Sequence, residues 1–376
     1  MAADIDGDGF TDAVASDGSG TLTRLLGGPR GELGSPTPGF AIDGLLGYVL
    51  VDLDGDGLPE QVSVSSDRMV VSPGEPGGGQ GSASSVPLPE THTDLRFVLR
   101  ARLDEAAVPG VLVVGDEITT VARLGDGAGG LSTGSGSQSG YAEAATIEVA
   151  DFDEDGWPDL LVNGQQDIRV LHSDGAGNLL PGAVVAPLVV LRNPLAVTDL
   201  DADGHADVVW AQLDDSLVSA VLGDGTGGFS SVVSSDLGAG ETQGLQLGDV
   251  DEDGLPDVVV ELFGSDTVVV AFGQGDGSFA SPQQVLPSPH GRPMLDDLNG
   301  DGHLDVAAYD WQGGALVVEV GDGDGNFSAG PTFPMDFLSV FPTTGDLNGD
   351  GLADALLRAD YSTVRLLLSN PCGCAE

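Results

Sequence analysis

The sequence predicts an all-β fold, a β-propeller of eight four-stranded blades with seven blades as the alternative, and three observations carry that expectation. A nine-residue acidic stretch recurs along the whole chain, four short apolar runs follow one another within each recurrence, and no segment shows helical periodicity.

The recurrence sets the frame. Copies of the stretch typified by Asp249-Val-Asp251-Glu-Asp253-Gly254-Leu-Pro-Asp257 begin at Asp4, Asp52, Asp151, Asp199, Asp249, Asp297 and Asp346, with a worn copy at Arg102, so the successive steps are 48, 50, 49, 48, 50, 48 and 49 residues. Eight such repeats predict one domain over residues 1–376. Almost no strand precedes the first loop, and Ser369-Asn-Pro-Cys-Gly-Cys-Ala-Glu376 replaces the last glycine turn and fourth strand, so the closing blade is expected to lack an outer strand.

Each repeat reads in the same order. An apolar stretch such as Thr146-Ile-Glu-Val-Ala150 or Gly244-Leu-Gln-Leu-Gly248 leads into the acidic loop, and a β-branched run such as Asp207-Val-Val-Trp210 or Asp257-Val-Val-Val260 leaves it. After a polar turn comes a second run, as in Leu217-Val-Ser-Ala-Val-Leu222 and Thr267-Val-Val-Val-Ala-Phe272. A glycine turn and a weak fourth strand, such as Gln283-Gln-Val-Leu286, close the repeat. The turns at Gly125 and Gly223 match G-x-G-x-x-G, but a strand follows where a nucleotide-binding loop would offer a helix amino terminus. They read as hairpin turns whose following Phe or Leu folds back onto the blade.

The acidic loop carries the clearest chemistry. Carboxylates at its first, third and fifth places, Gly at its sixth and an acid again at its ninth bring hard oxygen ligands toward one point, with the seventh-place carbonyl free to join. Such a shell suits calcium; magnesium retains more water, and zinc calls for His or Cys. Asp and Gly also make good turns, the plainer reading of any single copy. The candidate ligands are Asp4, Asp6, Asp8 and Asp12; Asp52, Asp54, Asp56 and Glu60; Asp151, Asp153, Asp155 and Asp159; Asp199, Asp201, Asp203 and Asp207; Asp249, Asp251, Asp253 and Asp257; Asp297, Asn299, Asp301 and Asp305; and Asp346, Asn348, Asp350 and Asp354. About seven calcium ions are expected on that basis. An EF-hand is excluded, because its bidentate Glu at the twelfth place is here Ala15, Ser63, Val162, Trp210, Val260, Ala308 or Leu357.

Composition narrows the function. Sixty acidic residues stand against 12 Arg and no Lys, for a net charge of -48. A body so acidic repels nucleic acid and anionic lipid, and no run approaches the roughly 18 apolar residues of a membrane span. Weak calcium sites suit the extracellular side. Only Met1-Ala2-Ala3 precede the first loop, so an exported parent with its leader trimmed, or a longer multidomain chain, is expected. Cys372 and Cys374 flank one Gly; they could bridge each other, pair outside the chain or remain free.

The loops and glycine turns together resemble the FG-GAP/VCBS repeat family, whose D-x-D-G-D-G-x-x-D pattern, two strands and G-D-G-x-G-x-F turn run through Asp297 to Phe327. The resemblance implies a propeller like the integrin α-subunit head, with calcium between the first and second strands of each blade. By it, the first, third, fifth and ninth residues of the seven intact loops are ligands. The worn copy, Arg102-Leu-Asp104-Glu-Ala106-Ala107-Val-Pro-Gly110, departs from the pattern and is not expected to bind calcium.

The expected function is a non-catalytic, calcium-stabilised extracellular module, monomeric or within a larger chain, that binds a protein or glycan. Arg100 and Arg102, near Arg96 and Arg123, and the aromatic rings of Trp157 and Trp311 are candidate ligand contacts, whereas Trp210 follows two valines and reads as core. A lectin is one alternative. A polysaccharide lyase or hydrolase is another, resting on surplus acids such as Asp214, Asp215, Asp310 and Glu261. The five His, His92, His172, His205, His290 and His303, are scattered and form no catalytic motif.

Overall fold

The computed structural model describes the chain apart from residues 1, 9–11, 17–20, 27–36, 42, 44, 76–78, 81, 89–94, 102–108, 116–118, 124, 126, 132–136, 139–145, 165–166, 177, 188–193, 213–214, 288–290, 311, 335–342, 346–353, 359–363 and 368–376. Among the described residues every element is a strand, and the strands form seven four-stranded sheets, one three-stranded sheet and a small hairpin of Gly74–Glu75 with Gly79–Gln80. Each larger sheet is an antiparallel meander in chain order, one sheet to each 49-residue repeat predicted above. The last sheet holds Thr343–Gly345, Asp354–Arg358 and Val364–Leu367.

The chain divides into two compact units, residues 1–187 with 347–349, and residues 188–346 with 350–376. The first contains four of the sheets. In its fourth sheet, Thr146–Ala150 pairs with Asp159–Asn163, which pairs with Asp167–Ser173, which pairs with Leu179–Pro187. The second unit contains the other four, and its sixth sheet in chain order runs Glu241–Gly248, Asp257–Phe263, Thr267–Ala271 and Gln283–Leu286.

In the repeats whose burial is described along the strand, the second strand is deeply buried. Asp159–Asn163 and Asp207–Ala211 are buried at every residue, which explains why they read as continuous β-branched or aliphatic runs rather than alternating ones. Trp210 lies in such a strand at 2% exposure, so the twelfth place that lacks an EF-hand Glu is core. In the second unit Leu200, Val209, Val218, Val258 and Phe279 join one apolar cluster, so neighbouring sheets share their packing. In the first unit Val49, Val62, Val71, Val111, Val113 and Leu131 do the same.

The glycine turns are hairpins, as expected. Gly223 bridges to Phe229, Gly273 to Phe279 and Gly125 to Leu131. Phe279 and Leu131 fold back into the core at 8% and 7% exposure, and the Phe279 amide donates to Ser235 Oγ of the preceding sheet at 2.8 Å. The turn Asp is an organiser of backbone: Asp224 Oδ1 accepts from the amides of Thr226 at 2.9 Å and Gly228 at 3.0 Å.

Candidate metal loops and an adjoining cleft

Each acidic loop joins the first and second strands of its sheet, as residues 151–158 join Thr146–Ala150 to Asp159–Asn163. Its curl is held by its own carboxylates. First-place Oδ2 accepts from the sixth-place Gly amide, at 3.0 Å for Asp52 and Asp151 and 2.9 Å for Asp199, Asp249 and Asp297. Third-place Oδ1 accepts from the fifth-place amide, and fifth-place Oδ1 from the seventh, as in Asp253 to Asp251 at 3.3 Å and Leu255 to Asp253 at 2.9 Å. The sixth-place glycines lie in the left-handed region, from Gly57 at φ 89° to Gly254 and Gly302 at 94°.

The fourth place is left-handed too, which the sequence reading did not identify. It is Gly at Gly7, Gly55 and Gly300, but Glu154, Ala202 and Glu252 hold φ of 54°, 60° and 55° there. The sequence signal was the doubled glycine of the D-x-D-G-D-G copies. Where a side-chain-bearing residue takes that place, the loop stores backbone strain of about 1–2 kcal/mol.

The ninth-place acid differs from the other three. Asp12, Asp159, Asp207 and Asp305 are 0% exposed, and Glu60 and Asp257 are 1% exposed. One oxygen accepts from the second-place amide: Ile5 to Asp12 at 2.6 Å, Leu53 to Glu60 at 2.5 Å, Leu200 to Asp207 at 2.7 Å, Val250 to Asp257 at 2.8 Å, and Phe152 to Asp159 and Leu298 to Asp305 at 3.1 Å. The other accepts from the glycine-turn side: Gly223 to Asp207 at 2.7 Å, Ser173 to Asp159 and Gly273 to Asp257 at 2.8 Å, and Gly321 to Asp305 at 3.0 Å. The glycine there is required, because a Cβ at Gly223, Gly273 or Gly321 would come within 2.4 Å of a loop carbonyl oxygen. Burial pushes Asp207, Asp257 and Asp305 up to about 6 despite these amides, and raises Glu60 and Asp159 as well.

Carboxylate oxygens of the loops converge. Ligand atoms of Asp4, Asp6 and Asp8, of Asp52, Asp54 and Glu60, of Asp151, Asp153 and Asp155, and of Asp199, Asp201 and Asp203 lie within 4.8 Å of one another in each set. The residues fit a hard dication on two counts. Asp151 Oδ1 is a buried carboxylate oxygen that accepts no hydrogen bond, and third-place Asp6, Asp201 and Asp251 are raised by burial and by the charges of neighbouring loop acids. Asp346, Asn348 and Asp350 lie outside the described residues, as does the side chain of Asp354.

Neighbouring repeats meet at these loops. His303, the seventh place of its loop, pairs through Nδ1 with Glu252 Oε1 of the preceding loop at 2.6 Å, and this raises the imidazole's basicity. A Cβ on Gly323 or Gly325, in the following glycine turn, would meet Glu252 at 2.8 Å or Asp251 at 3.1 Å respectively. In the first unit Gly129 stands in the same relation to Asp54.

The expected ligand contacts are dispersed. Arg100 is exposed on Leu95–Ala101, Trp157 is half-buried with its indole over Gly175, and Arg102 and Trp311 lie outside the described residues. Of the surplus acids, Asp214 lies outside the described residues, and Asp310 organises a turn by accepting from the amides of Gln312 and Gly313 at 2.8 and 2.9 Å. Glu261 is 5% exposed and pushed up by burial to about 7, with Arg292 pulling the other way. Asp215 borders an open cleft of about 420 Å³, lined by Ser216, Gly240, Glu241, Phe263 and Ser265 among others. Phe263 is 51% exposed there. Thr242 fixes the wall, its hydroxyl donating to Gln212 O at 2.6 Å and its amide to Asp215 O at 3.1 Å. Sequence reading missed this cleft because its residues come from separate strand ends.

An all-β chain of repeated antiparallel meanders, most of them four-stranded and with an acidic loop between the first two strands, is the pattern of propeller-like repeat proteins, and the comparisons agree. The FG-GAP-like repeat family matches residues 199–260 and 297–357, so those two stretches are similar to FG-GAP-like repeats. No curated protein matches the sequence significantly. Similar solved structures include an Agrocybe aegerita lectin with specific recognition of non-reducing terminal N-acetylglucosamine, at 19% identity and TM-score 0.56 over 83% of this chain and 87% of that one. BP39L lectin from Burkholderia pseudomallei aligns at 16% identity and TM-score 0.58 over 88% and 98%. BBS1N, in its complex with ARL6DN, aligns at 14% identity and TM-score 0.51 over 98% and 91%. At such identities the likeness is one of fold.

Two outcomes test the ninth-place acid. In calcium-free protein, Asp257→Ala abandons two amide donors at about 1–3 kcal/mol each and lowers the unfolding free energy in urea by about 4 kcal/mol, whereas Asp253→Ala, at an exposed place, changes it by under about 1 kcal/mol. Equal effects would refute the structural role. Because the folded values of Asp207, Asp257 and Asp305 lie at about 6, above the ordinary 3.8, the native state holds more protons in that window. Their contribution is full below 3.8 and is lost as pH rises through about 6, so the melting temperature of chelated protein increases as pH falls from 7 toward 5. A flat profile would contradict this.

Proposed function

We propose that this protein is a non-catalytic, extracellular binding module of eight propeller blades whose seven intact acidic loops each hold calcium. The observation that carries the reading is the convergence of carboxylate oxygens within 4.8 Å in the loops, at the first, third and fifth places of those beginning at Asp4, Asp151 and Asp199 and at the first, third and ninth of the one beginning at Asp52. Calcium accepts such an oxygen-rich, adaptable shell. At Asp159, Asp207, Asp257 and Asp305 both oxygens of the ninth-place acid are engaged by amides, so these acids contribute to a metal shell through a remaining lone pair. The ion's role is structural. It neutralises acids that raise one another's affinity for protons, and because it binds the native state it adds to stability by mass action.

The ligand surface we propose is the cleft beside Phe263, with a neutral carbohydrate as its ligand. An exposed aromatic face stacks on the C–H face of a sugar, while Asp215, Ser216, Glu241 and Ser265 offer acceptors to its hydroxyls. Two lectins among the structures of similar fold support this choice. An anionic polymer suits it less, since the cleft carries two carboxylates.

Calcium titrated into stripped protein by calorimetry is expected to bind at about seven sites and to raise the melting temperature sharply, and a melting curve that chelator leaves unmoved would overturn the structural role. On an array of neutral glycans, the protein is expected to bind a defined set and to lose it on Phe263→Ala with the calcium-loaded melting temperature retained. Binding unaffected by that change would remove the cleft from consideration.

A further inference from the structure

The acidic loop of the fourth repeat, beginning at Asp151, differs from the others in the described residues. In the loops at Asp199 and Asp249, the first-place Oδ1 accepts a loop amide, whereas Asp151 Oδ1 is buried and accepts none. At the glycine-turn side, where Gly223, Gly273 and Gly321 offer only backbone, this repeat has His172 followed by Ser173. His172 Nδ1 lies 3.0 Å from Asp159 Oδ2 and 3.2 Å from Asp153 Oδ2, and ligand atoms of the three residues fall within 4.8 Å of one another.

We propose that the fourth repeat's loop binds a borderline dication of the zinc class through His172 Nδ1, Asp153 and Asp159, and that this ion displaces calcium there. The inference rests on the reading of the loops as metal-binding and refines it at one loop. Imidazole nitrogen is a poor partner for calcium and a good one for zinc. Tetrahedral zinc at about 2.0–2.1 Å from its ligands sets donor atoms about 3.3 Å apart, close to the spacing present. Three protein ligands leave the fourth position to water.

The site is held in place from behind. Asp159 is 0% exposed and anchored by the amides of Phe152 and Ser173 at 3.1 and 2.8 Å, which leaves a lone pair on Oδ2 for a metal. The imidazole lies over Gly182, where a Cβ would come 2.5 Å from its Cδ2 and Nε2. A glycine opposite the ring is therefore part of the site, since any other residue would displace the imidazole. Asp151 Oδ1 adds an unmatched negative charge to the same loop.

The test is calorimetric titration of zinc into calcium-saturated full-length protein, with released calcium read by a fluorescent indicator. Wild type is expected to bind one zinc with release of one calcium. His172→Gln is expected to weaken zinc at least ten-fold while keeping calcium binding and the calcium-loaded melting temperature. His303→Gln, which removes a histidine beside a different loop, is expected to leave zinc binding unchanged, and Gly182→Ala to weaken it. Absence of zinc binding, zinc binding unchanged in His172→Gln, or zinc displaced by millimolar calcium would each overturn the proposal. If calcium fails to bind stripped protein at any loop while zinc binds through His172, the structural-calcium reading falls and with it the displacement of calcium, while the zinc site at His172 stands.

Discussion

The structure depends most on a carboxylate that is out of water. At the ninth place of each described loop, an acid at 0–1% exposure accepts the second-place amide, and in four repeats its other oxygen takes an amide from the far side of the sheet. That single group closes the metal loop, starts the second strand and docks the glycine turn. Both partners are donors, and an ionised carboxylate accepts at two oxygens without donating. Burial makes the charge costly, which is why these acids hold protons up to about 6. The two amides lower that cost without removing it.

From this constraint the rest of the repeat follows. The chain must return from the third strand close enough for its amide to reach the acid; at Gly223 and Gly273 a Cβ would come 2.4 Å from a loop carbonyl oxygen, so glycine makes that approach there, while in the fourth repeat Ser173 makes it. The turn then sets its own Asp to organise backbone and its Phe or Leu to enter the core. The loop faces outward with its remaining carboxylates crowded together and meets the glycine turn of the next repeat, as Asp251 meets Gly325 and Asp54 meets Gly129. Charge at one loop is thereby felt at the junction between neighbouring repeats. His303 beside Glu252 places a titratable cation at one such junction.

Much of this was legible in the sequence because repetition turns weak local signals into strong ones. The 49-residue period, the four strands, the position of the loop between the first two and the buried Trp210 all emerge from pattern alone. The ninth acid read as a fourth ligand, and its geometry adds a backbone clamp that spacing alone does not reveal, while Glu60 and Asp159 still bring a carboxylate oxygen to their loops' other acids. The left-handed fourth place was hidden because Glu154, Ala202 and Glu252 occupy it where other copies have glycine. His172 read as one of five scattered histidines, and only its place on Asp167–Ser173 brings its ring to Asp159.

The cleft beside Phe263 was illegible for a different reason. Repetition reports what copies share, and a recognition surface lies where they differ. Gly240 lets Phe263 and the 239–241 segment approach, since a Cβ there would sit 2.7 Å from Phe263 O, and of the other repeats the next one carries an aromatic, Trp311, at the place equivalent to Phe263 but no Gly-Glu pair matching Gly240 and Glu241. The shared parts of the repeat are committed to its own integrity: buried acids to amides, loop acids to one another, glycines to close approach. Specificity must therefore be written in the strand ends and polar turns, where a substitution breaks neither the clamp nor the core. A single aromatic with flanking carboxylates in one repeat is what such a division of labour allows, and it directs attention away from the repeated loops and toward the places where the repeats disagree.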